Sequence, residues 1–320
     1  MDPLSDVLSL LKPRSFMSGG VDYGPQWSLR FGPHDGIKYQ AMLSGGCWLE
    51  VEGLEPVRVE AGDCYLLPRG LPFRLASDLS LPVMDAVELL RLPLNGGMRT
   101  VGGGGHCVAL GGHFAFEGRH APMLLGMLPP IVHLRSEADK AAMRWSIERL
   151  MREIQEPQPG GFLIAQQLAH MLLVQALRLH LNDGAAGGVG WLFALADRQM
   201  SLAMNAMHAE PGRRWTIDSL AKEAAMSRST FALKFKRMVG ASPMDYLTRW
   251  RMLLAADRLA GRGETIATLA PALGYESESA FSTAFKRVMG CAPRHYGRGQ
   301  GTRAGVGVSV RRPASSSAAR

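Results

Sequence analysis

Thr265-Ile266-Ala267-Thr268-Leu269-Ala270-Pro271-Ala272-Leu273-Gly274-Tyr275, continuing through Phe281, Phe285-Lys286-Arg287, Gly290, Pro293 and Tyr296, has a second copy upstream in the same chain. Thr216-Ile217-x-x-Leu220-Ala221 matches Thr265-Ile266-x-x-Leu269-Ala270, and Phe231-x-x-x-Phe235-Lys236-Arg237 matches Phe281-x-x-x-Phe285-Lys286-Arg287. Gly240-x-x-Pro243-x-x-Tyr246 then matches Gly290-x-x-Pro293-x-x-Tyr296. The offset grows from 49 to 50 at Gly274-Tyr275, in a turn, where one added residue costs least.

Each copy reads as helix, tight turn, helix. In the first, Ile217–Ala225 supports, Met226-Ser227 turns, and Ser227 caps a helix over Arg228–Val239. In the second, Ile266–Leu273 supports, Gly274 turns, and Glu276–Met289 follows. Phe residues four apart share one helix face and pack inward. The opposite face then points out: Arg228, Ser229, Ala232, Leu233 and Lys236 in the first copy, and Glu278, Ser279, Ser282, Thr283 and Lys286 in the second. Such a face on the second helix of a pair is what enters a major groove, with Lys236, Arg237, Lys286 and Arg287 at the far ends reaching phosphates. Phe at helical spacing is more often plain core, but two copies sharing the turn, the Gly-x-x-Pro-x-x-Tyr tail and a basic surplus argue against that reading. Met244–Ala260 reads as a continuous connecting helix, which would set the two reading helices about 34 Å apart on one DNA face.

Charge agrees with this division. Residues 198–320 carry 20 Lys and Arg against 8 Asp and Glu, whereas residues 1–197 carry 16 against 20. A polyanion partner for one end only is the implication. A length of 320 residues, 47% apolar and 20% charged, fits a globular multidomain chain. Met1-Asp2-Pro3-Leu4-Ser5-Asp6 has no basic stretch followed by an apolar run, so no secretory signal is expected. Cys47, Cys64, Cys107 and Cys291 are scattered, which fits reduced thiols in a cytoplasmic protein. Phe162–Leu181 is the most apolar window, yet Gln166, Gln167, His170, Gln175, Arg178 and His180 make it a buried or partner-facing helix, with no membrane partner.

Residues 15–120 alternate in short runs broken by Gly and Pro, the pattern of a β-sandwich or barrel. Cys47–Val51, Val57–Val59 and Cys64–Leu67 read as strands, with Ala61-Gly62-Asp63 as a turn. From Ser136, a plausible cap, the period becomes helical through Gln155, carried by Ala142, Trp145, Leu150 and Ile154. Further helices are expected over Phe162–Leu181 and Trp191–His208, and residues 299–320 read as a disordered basic tail.

The second copy resembles the AraC/XylS family on Ile266-Ala267 through Gly274-Tyr275, Phe281, Phe285-Lys286, Gly290, Pro293 and Tyr296. The resemblance implies two helix-turn-helix motifs joined by a linker helix, binding double-stranded promoter DNA, and a homodimer that contacts RNA polymerase if it activates. Two residues depart from the pattern: Pro271, expected to kink the supporting helix or shift its start, and Leu233 on an outward site. Gly62-Asp63-Cys64-Tyr65-Leu66-Leu67-Pro68-Arg69-Gly70, with Trp48-Leu49-Glu50 and Leu128-Pro129-Pro130, resembles the cupin-type sensor domain of such regulators. This implies a small barrel with an internal pocket for an unidentified small-molecule effector, for which Tyr39, Trp48 and Tyr65 are the candidate lining residues.

Catalytic cupins hold a metal on His and carboxylate ligands. Here Phe73 stands where the His is usual, and Ile37-Lys38-Tyr39-Gln40 lacks a His-x-His. No metal, no cofactor and no enzymatic activity are therefore expected; His106, Cys107, His113 and His120 fit no tight ligand spacing. Two alternatives stand beside the regulator: a metal-dependent cupin enzyme with a helical accessory domain, and a redox-sensing regulator using Cys47, Cys64 and Cys107, although a free Cys in a strand is more often core. The expected architecture is multidomain: a β-rich cupin-like barrel over 1–135, a helical connector and dimerisation region over 136–209, an all-α double helix-turn-helix domain over 210–298, and the tail over 299–320.

Overall fold

The structure, a computed structural model, describes residues 2–95, 97–116, 121, 125–126, 128–156, 158–182, 190–261 and 264–298. The expected tail at 299–320 and His120 lie outside the described residues. The chain divides into two compact units, Met1–Trp250 and Arg251–Arg320.

The first unit begins with a helix, α1 (Pro3–Leu11), that the sequence reading did not anticipate. Its signals are local. The Asp2 carboxylate accepts from the Ser5 N–H at 3.0 Å, Pro3 opens the first turn, and Leu4, Val7, Leu10 and Leu11 bury one face.

Eleven strands follow among the described residues: β1 (Arg14–Tyr23), β2 (Ser28–Phe31), β3 (Ile37–Ser44), β4 (Gly46–Val51), β5 (Val57–Glu60), β6 (Cys64–Leu67), β7 (Phe73–Ala76), β8 (Met84–Asp85), β9 (Met98–Val101), β10 (Cys107–Ala115) and β11 (Val132–Leu134). A short helix, α2 (Val87–Arg91), follows β8. The strands form two sheets, ordered β11-β6-β3-β10-β1-β9 and β5-β4-β7-β2-β8. The β-rich cupin-like domain is thus present, but as a sandwich of two sheets instead of a closed barrel. The chain changes sheet between β3 and β4, at Gly45, whose φ is +69°. A Cβ there would lie 2.3 Å from the His106 carbonyl oxygen and 2.9 Å from Cys107 Cα, so only glycine fits the crossing.

Strand alternation sorts the side chains. On β3, Gln40 and Met42 turn between the sheets; Tyr39 and Ala41 face the other way, toward the helices. On β6, Tyr65 and Leu67 turn inward while Cys64 and Leu66 face the helices. The inter-sheet core joins Tyr23, Trp27, Leu29, Leu49, Val59, Tyr65, Leu75 and Ala109, with Tyr23 and Trp27 stacked at 3.8 Å.

Two helices cover the outer face of the six-stranded sheet, α3 (Glu137–Gln155) and α4 (Gly161–Asn182). Ser136 caps α3, accepting from the Asp139 N–H at 3.1 Å. The buried stripe is Met143, Ile147, Leu150 and Met151; Ala142 and Trp145, expected inside, face outward, and Trp145 is 64% exposed. The turn before β6 is pinned to this layer by buried Asp63, which accepts from the Glu60 N–H at 3.0 Å and meets His133 Nε2 at 3.0 Å and Lys140 Nζ at 3.2 Å. α4 is long and apolar enough to cross a membrane, but Leu172 and Leu173 pack on the sheet beside Leu150.

The helix expected over Trp191–His208 is two: α5 (Trp191–Ala194) and α6 (Arg198–Ala209). Asp197 separates them by capping α6, accepting from the Gln199 and Met200 N–H groups. The first unit then contains α7 (Ile217–Glu223) and α8 (Arg228–Val239), with α6 packed on α7 and α5 on α8. α9 (Pro243–Gly261) runs across the division between the units. The second unit adds α10 (Ile266–Ala272), α11 (Glu278–Met289) and α12 (Pro293–Arg298).

Candidate nucleic-acid interface

The sequence repeat is also a repeat of local structure. Thr216 and Thr265 cap the supporting helices α7 and α10, and Ser227 and Ser277 cap the reading helices α8 and α11. Each reading helix ends on a left-handed glycine, Gly240 at φ +78° and Gly290 at φ +76°, whose N–H bonds back to the Lys236 or Lys286 carbonyl. The second reading helix therefore starts at Glu278, two residues later than expected, because Ser277 takes the cap that Ser227 takes in the first. Pro271 lies inside α10 without shifting its start: Thr265 still caps Thr268 N at 3.3 Å.

Both turns need a left-handed residue. In the second unit it is Gly274 at φ +78°; in the first it is Ala225 at φ +50°. Met226 N–H reaches the Ala221 carbonyl at 2.9 Å, as Tyr275 N–H reaches that of Ala270 at 2.9 Å, so the two turns close alike. Phe231 and Phe235 are fully buried in one unit, Phe281 and Phe285 in the other.

The inward Phe residues leave the expected faces outward. Arg228, Ser229, Leu233, Lys236 and Arg237 are exposed on α8, and Glu278, Ser279, Thr283, Lys286 and Arg287 on α11. Ala232 and Ser282 are only half exposed, because each adjoins a buried Phe. Leu233 is 73% exposed, an apolar side chain with nothing packed over it. Arg228 pairs with Asp218 at 3.2 Å, both on the surface. Among the described residues no carboxylate pairs with Lys236, Arg237, Lys286 or Arg287, which keeps their charges available to phosphate. Lys234 is different: it is half-buried and held by Asp197 at 2.7 Å and Gln199 at 3.1 Å.

One buried group ties the first reading unit to the amino terminus. His208 on α6 meets Asp6 of α1 through Nδ1 at 3.1 Å and Tyr246 Oη of α9 through Nε2 at 2.7 Å, and its ring stacks on Trp250 at 4.0 Å. An ionised carboxylate only accepts, so Nδ1–H donates to Asp6 and the tyrosine hydroxyl donates to Nε2. Burial pushes the imidazole down to about 3, so it is neutral and the contact is a hydrogen bond, not an ion pair.

Two family descriptions match the chain: "Cupin" over residues 2–182 and "Helix-turn-helix domain" over residues 220–299. A relative in Streptomyces lividans named as an AraC-like transcription regulator is 42% identical over 299 residues, covering 92% of this chain and 98% of that protein. The chain belongs to the AraC-like transcription regulators. A second such relative, from Streptomyces antibioticus, is 40% identical, covering 92% of this chain and 98% of its own length. The transcriptional regulator AlkR of Acinetobacter baylyi is 28% identical over 85% of this chain and 90% of its own. This AraC-like chain is therefore a DNA-binding transcription regulator and not an enzyme.

The regulator's amino-terminal domain has a cavity of about 90 Å³ between its sheets, bordered among others by Tyr23, Gln40, Tyr65, Phe31, Phe73 and Lys38. Tyr65 hydrogen-bonds Gln40 inside it. Tyr39, on the opposite face of β3, contributes to its border but packs its ring 5.0 Å from Phe114 on the helix side. Trp48 lies on the outer face of β4, with the Arg58 guanidinium 5.6 Å from its ring centroid. The three expected lining residues are thus not gathered in one place; the alternation that buries Cys47 and Leu49 turns Trp48 out. His106 is exposed, Cys107 is in the core and His113 stacks on Phe16, so these three do not converge. Cys47 and Cys107 do meet: the Cys47 thiol donates to Cys107, pushing Cys47 up and Cys107 below the ordinary thiol range.

Proposed function

We propose that this AraC-like regulator reads promoter DNA with the outward faces of α8 and α11, and that a small molecule held between the sheets of its amino-terminal domain shifts its DNA affinity. The observation that carries the DNA reading is the duplicated outward face: two capped helices with matched, carboxylate-free Lys-Arg pairs at their ends. Phosphate contacts supply affinity, and Ser229, Leu233, Ser279 and Thr283 supply sequence choice. Residues 1–135 act as sensor, 136–209 as connector and 210–298 as DNA-binding domain, in the cytoplasm. Effector binding shifts a two-state equilibrium, changing either operator affinity or contact with RNA polymerase.

The chain works as a homodimer in this reading, which supplies two reading modules for repeated half-sites. The support is an exposed apolar strip on α3 and α4: Trp145, Leu163, Met171 and Val174. Gel-shift binding to the DNA upstream of its own gene, weakened by salt and lost in Lys286→Ala with Arg287→Ala, is the expected result. Absence of binding to any promoter fragment defeats the proposal.

A redox-sensing variant keeps one observation in its favour, the hydrogen-bonded pair Cys47 and Cys107 in the core. A peroxide would take two electrons and two protons from the thiols, leaving a disulfide and two waters. DNA binding that responds to peroxide in the wild type but not in Cys47→Ser supports that variant; an identical response in both removes it.

A further inference from the structure

Lys38 sits near the centre of the six-stranded sheet, paired across the strands with Leu67 and His113. Its side chain crosses toward the other sheet. The ammonium lies 4.9 Å from the ring centroid of Phe31 and 5.2 Å from that of Phe73, and these two rings are stacked in parallel at 4.5 Å. Phe73 holds the position where the resemblance to metal-binding cupins expects an imidazole. In this chain an ammonium and an aromatic pair occupy that end of the cavity instead.

Among the described residues Lys38 has no carboxylate partner, and no Asp or Glu borders the cavity. Desolvation alone moves its ionisation, downward, with no opposing charge to restore it. Aromatic faces offset part of the lost hydration, but a half-buried ammonium beside an acid-free cavity is still short of a counter-ion. Of the other polar groups there, Tyr65 and Tyr23 hydrogen-bond Gln40, and His113 stacks on Phe16. Lys38 is thus the cationic donor on this border, beside His113, whose imidazole burial pushes toward the neutral form.

We propose that the cavity between the two sheets takes a small monocarboxylate, its oxygens on the Lys38 ammonium and its carbon body against Phe31, Phe73 and Tyr65. A second cation would add like charge to Lys38, and a neutral molecule would leave the ammonium unpaired. The volume, about 90 Å³, suits a body of a few carbons. The proposal rests on the reading of this domain as a small-molecule sensor and adds the chemical class of the ligand.

The test titrates the full chain with sodium propionate, butyrate and isobutyrate, and with the matching primary amides, by calorimetry and by thermal shift. The acids are expected to bind and raise Tm while the amides do not. Lys38→Met should weaken acid binding about ten- to a hundredfold, and Lys38→Arg should retain most of it. The wild-type comparison of acid with amide needs no variant, so it stands even if Lys38→Met folds poorly. Equal binding of acids and amides, or undiminished acid binding by folded Lys38→Met, overturns the carboxylate assignment and leaves the sensor reading intact. Binding of neither class, with another compound raising Tm and changing operator affinity, also overturns it alone. If no compound of any class alters Tm or operator affinity, both readings fall.

Discussion

The two helix-turn-helix units share a frame and differ in what surrounds it. Caps, Phe pairs and terminal glycines coincide. In the first unit, Lys234 is held by Asp197 and Gln199, and Tyr246 by His208. The second has Ala284 where the first has Lys234, while Tyr246 and Tyr296 pack alike on Phe235 and Phe285, at 5.8 and 5.5 Å. The outward faces differ as well: the first presents Leu233 where the second presents Thr283. The two copies share the residues that make the fold and the terminal Lys-Arg pairs, and differ at other outward positions. The first unit is built into the rest of its domain, and the second carries the more polar reading surface.

The largest expected effect tests that division of labour. Removing the Thr283 hydroxyl (Thr283→Ala) should cost about 1–3 kcal/mol of discrimination at the base pair it reads, whereas Leu233→Ala should cost less than about 1 kcal/mol. Competition binding with operator variants measures both. A larger loss for Leu233→Ala would reverse the comparison.

Next comes pH. The His208 imidazole titrates near 6.5 when unfolded and at about 3 when folded, so the unfolded chain binds more protons in that window. Stability therefore rises with pH between the two values and is flat above 6.5 as far as this group is concerned. Between pH 6.5 and 5 the loss on acidification approaches about 1.4 kcal/mol per pH unit. His208→Gln should flatten that slope in urea denaturation. An unchanged slope would mean that the first unit is not the acid-sensitive one.

The smallest effects are at the turns. Ala225 holds a left-handed backbone that Gly274 adopts without strain. Ala225→Gly should stabilise by up to about 1 kcal/mol and Gly274→Ala should destabilise by about 1–2 kcal/mol in thermal unfolding. The same sign for both would show that the turns are not equivalent.

How much of this was legible follows the range of each signal. The reading helices, their outward faces and the strand Cys64–Leu67 were readable because caps, glycines and period are local. The break at Asp197 was also local, but an apolar run on both sides masked it. Helix α1 has its signals in Asp2 and Pro3, but its 9 residues give too few turns for an apolar period to stand out. The phase of α3 was misjudged at Ala142 and Trp145, since an apolar face left uncovered looks like a core face in a single sequence. The amino-terminal domain is legible as a β-rich fold, but which strand face lines the cavity depends on register, so neither the outward turn of Trp48 nor the inward one of Lys38 shows in the sequence. The contact of His208 with Asp6 spans 202 residues and has no local trace.

The claim at the centre is that both Lys-Arg pairs neutralise phosphates on one operator. The salt dependence of operator affinity tests it directly, comparing the wild type with Lys236→Ala/Arg237→Ala and with Lys286→Ala/Arg287→Ala. Each released phosphate contact removes roughly 0.9 from the slope of log K against log salt, so each double variant should lose about 1.8. A slope unchanged in either double variant would contradict the assignment of that pair to DNA.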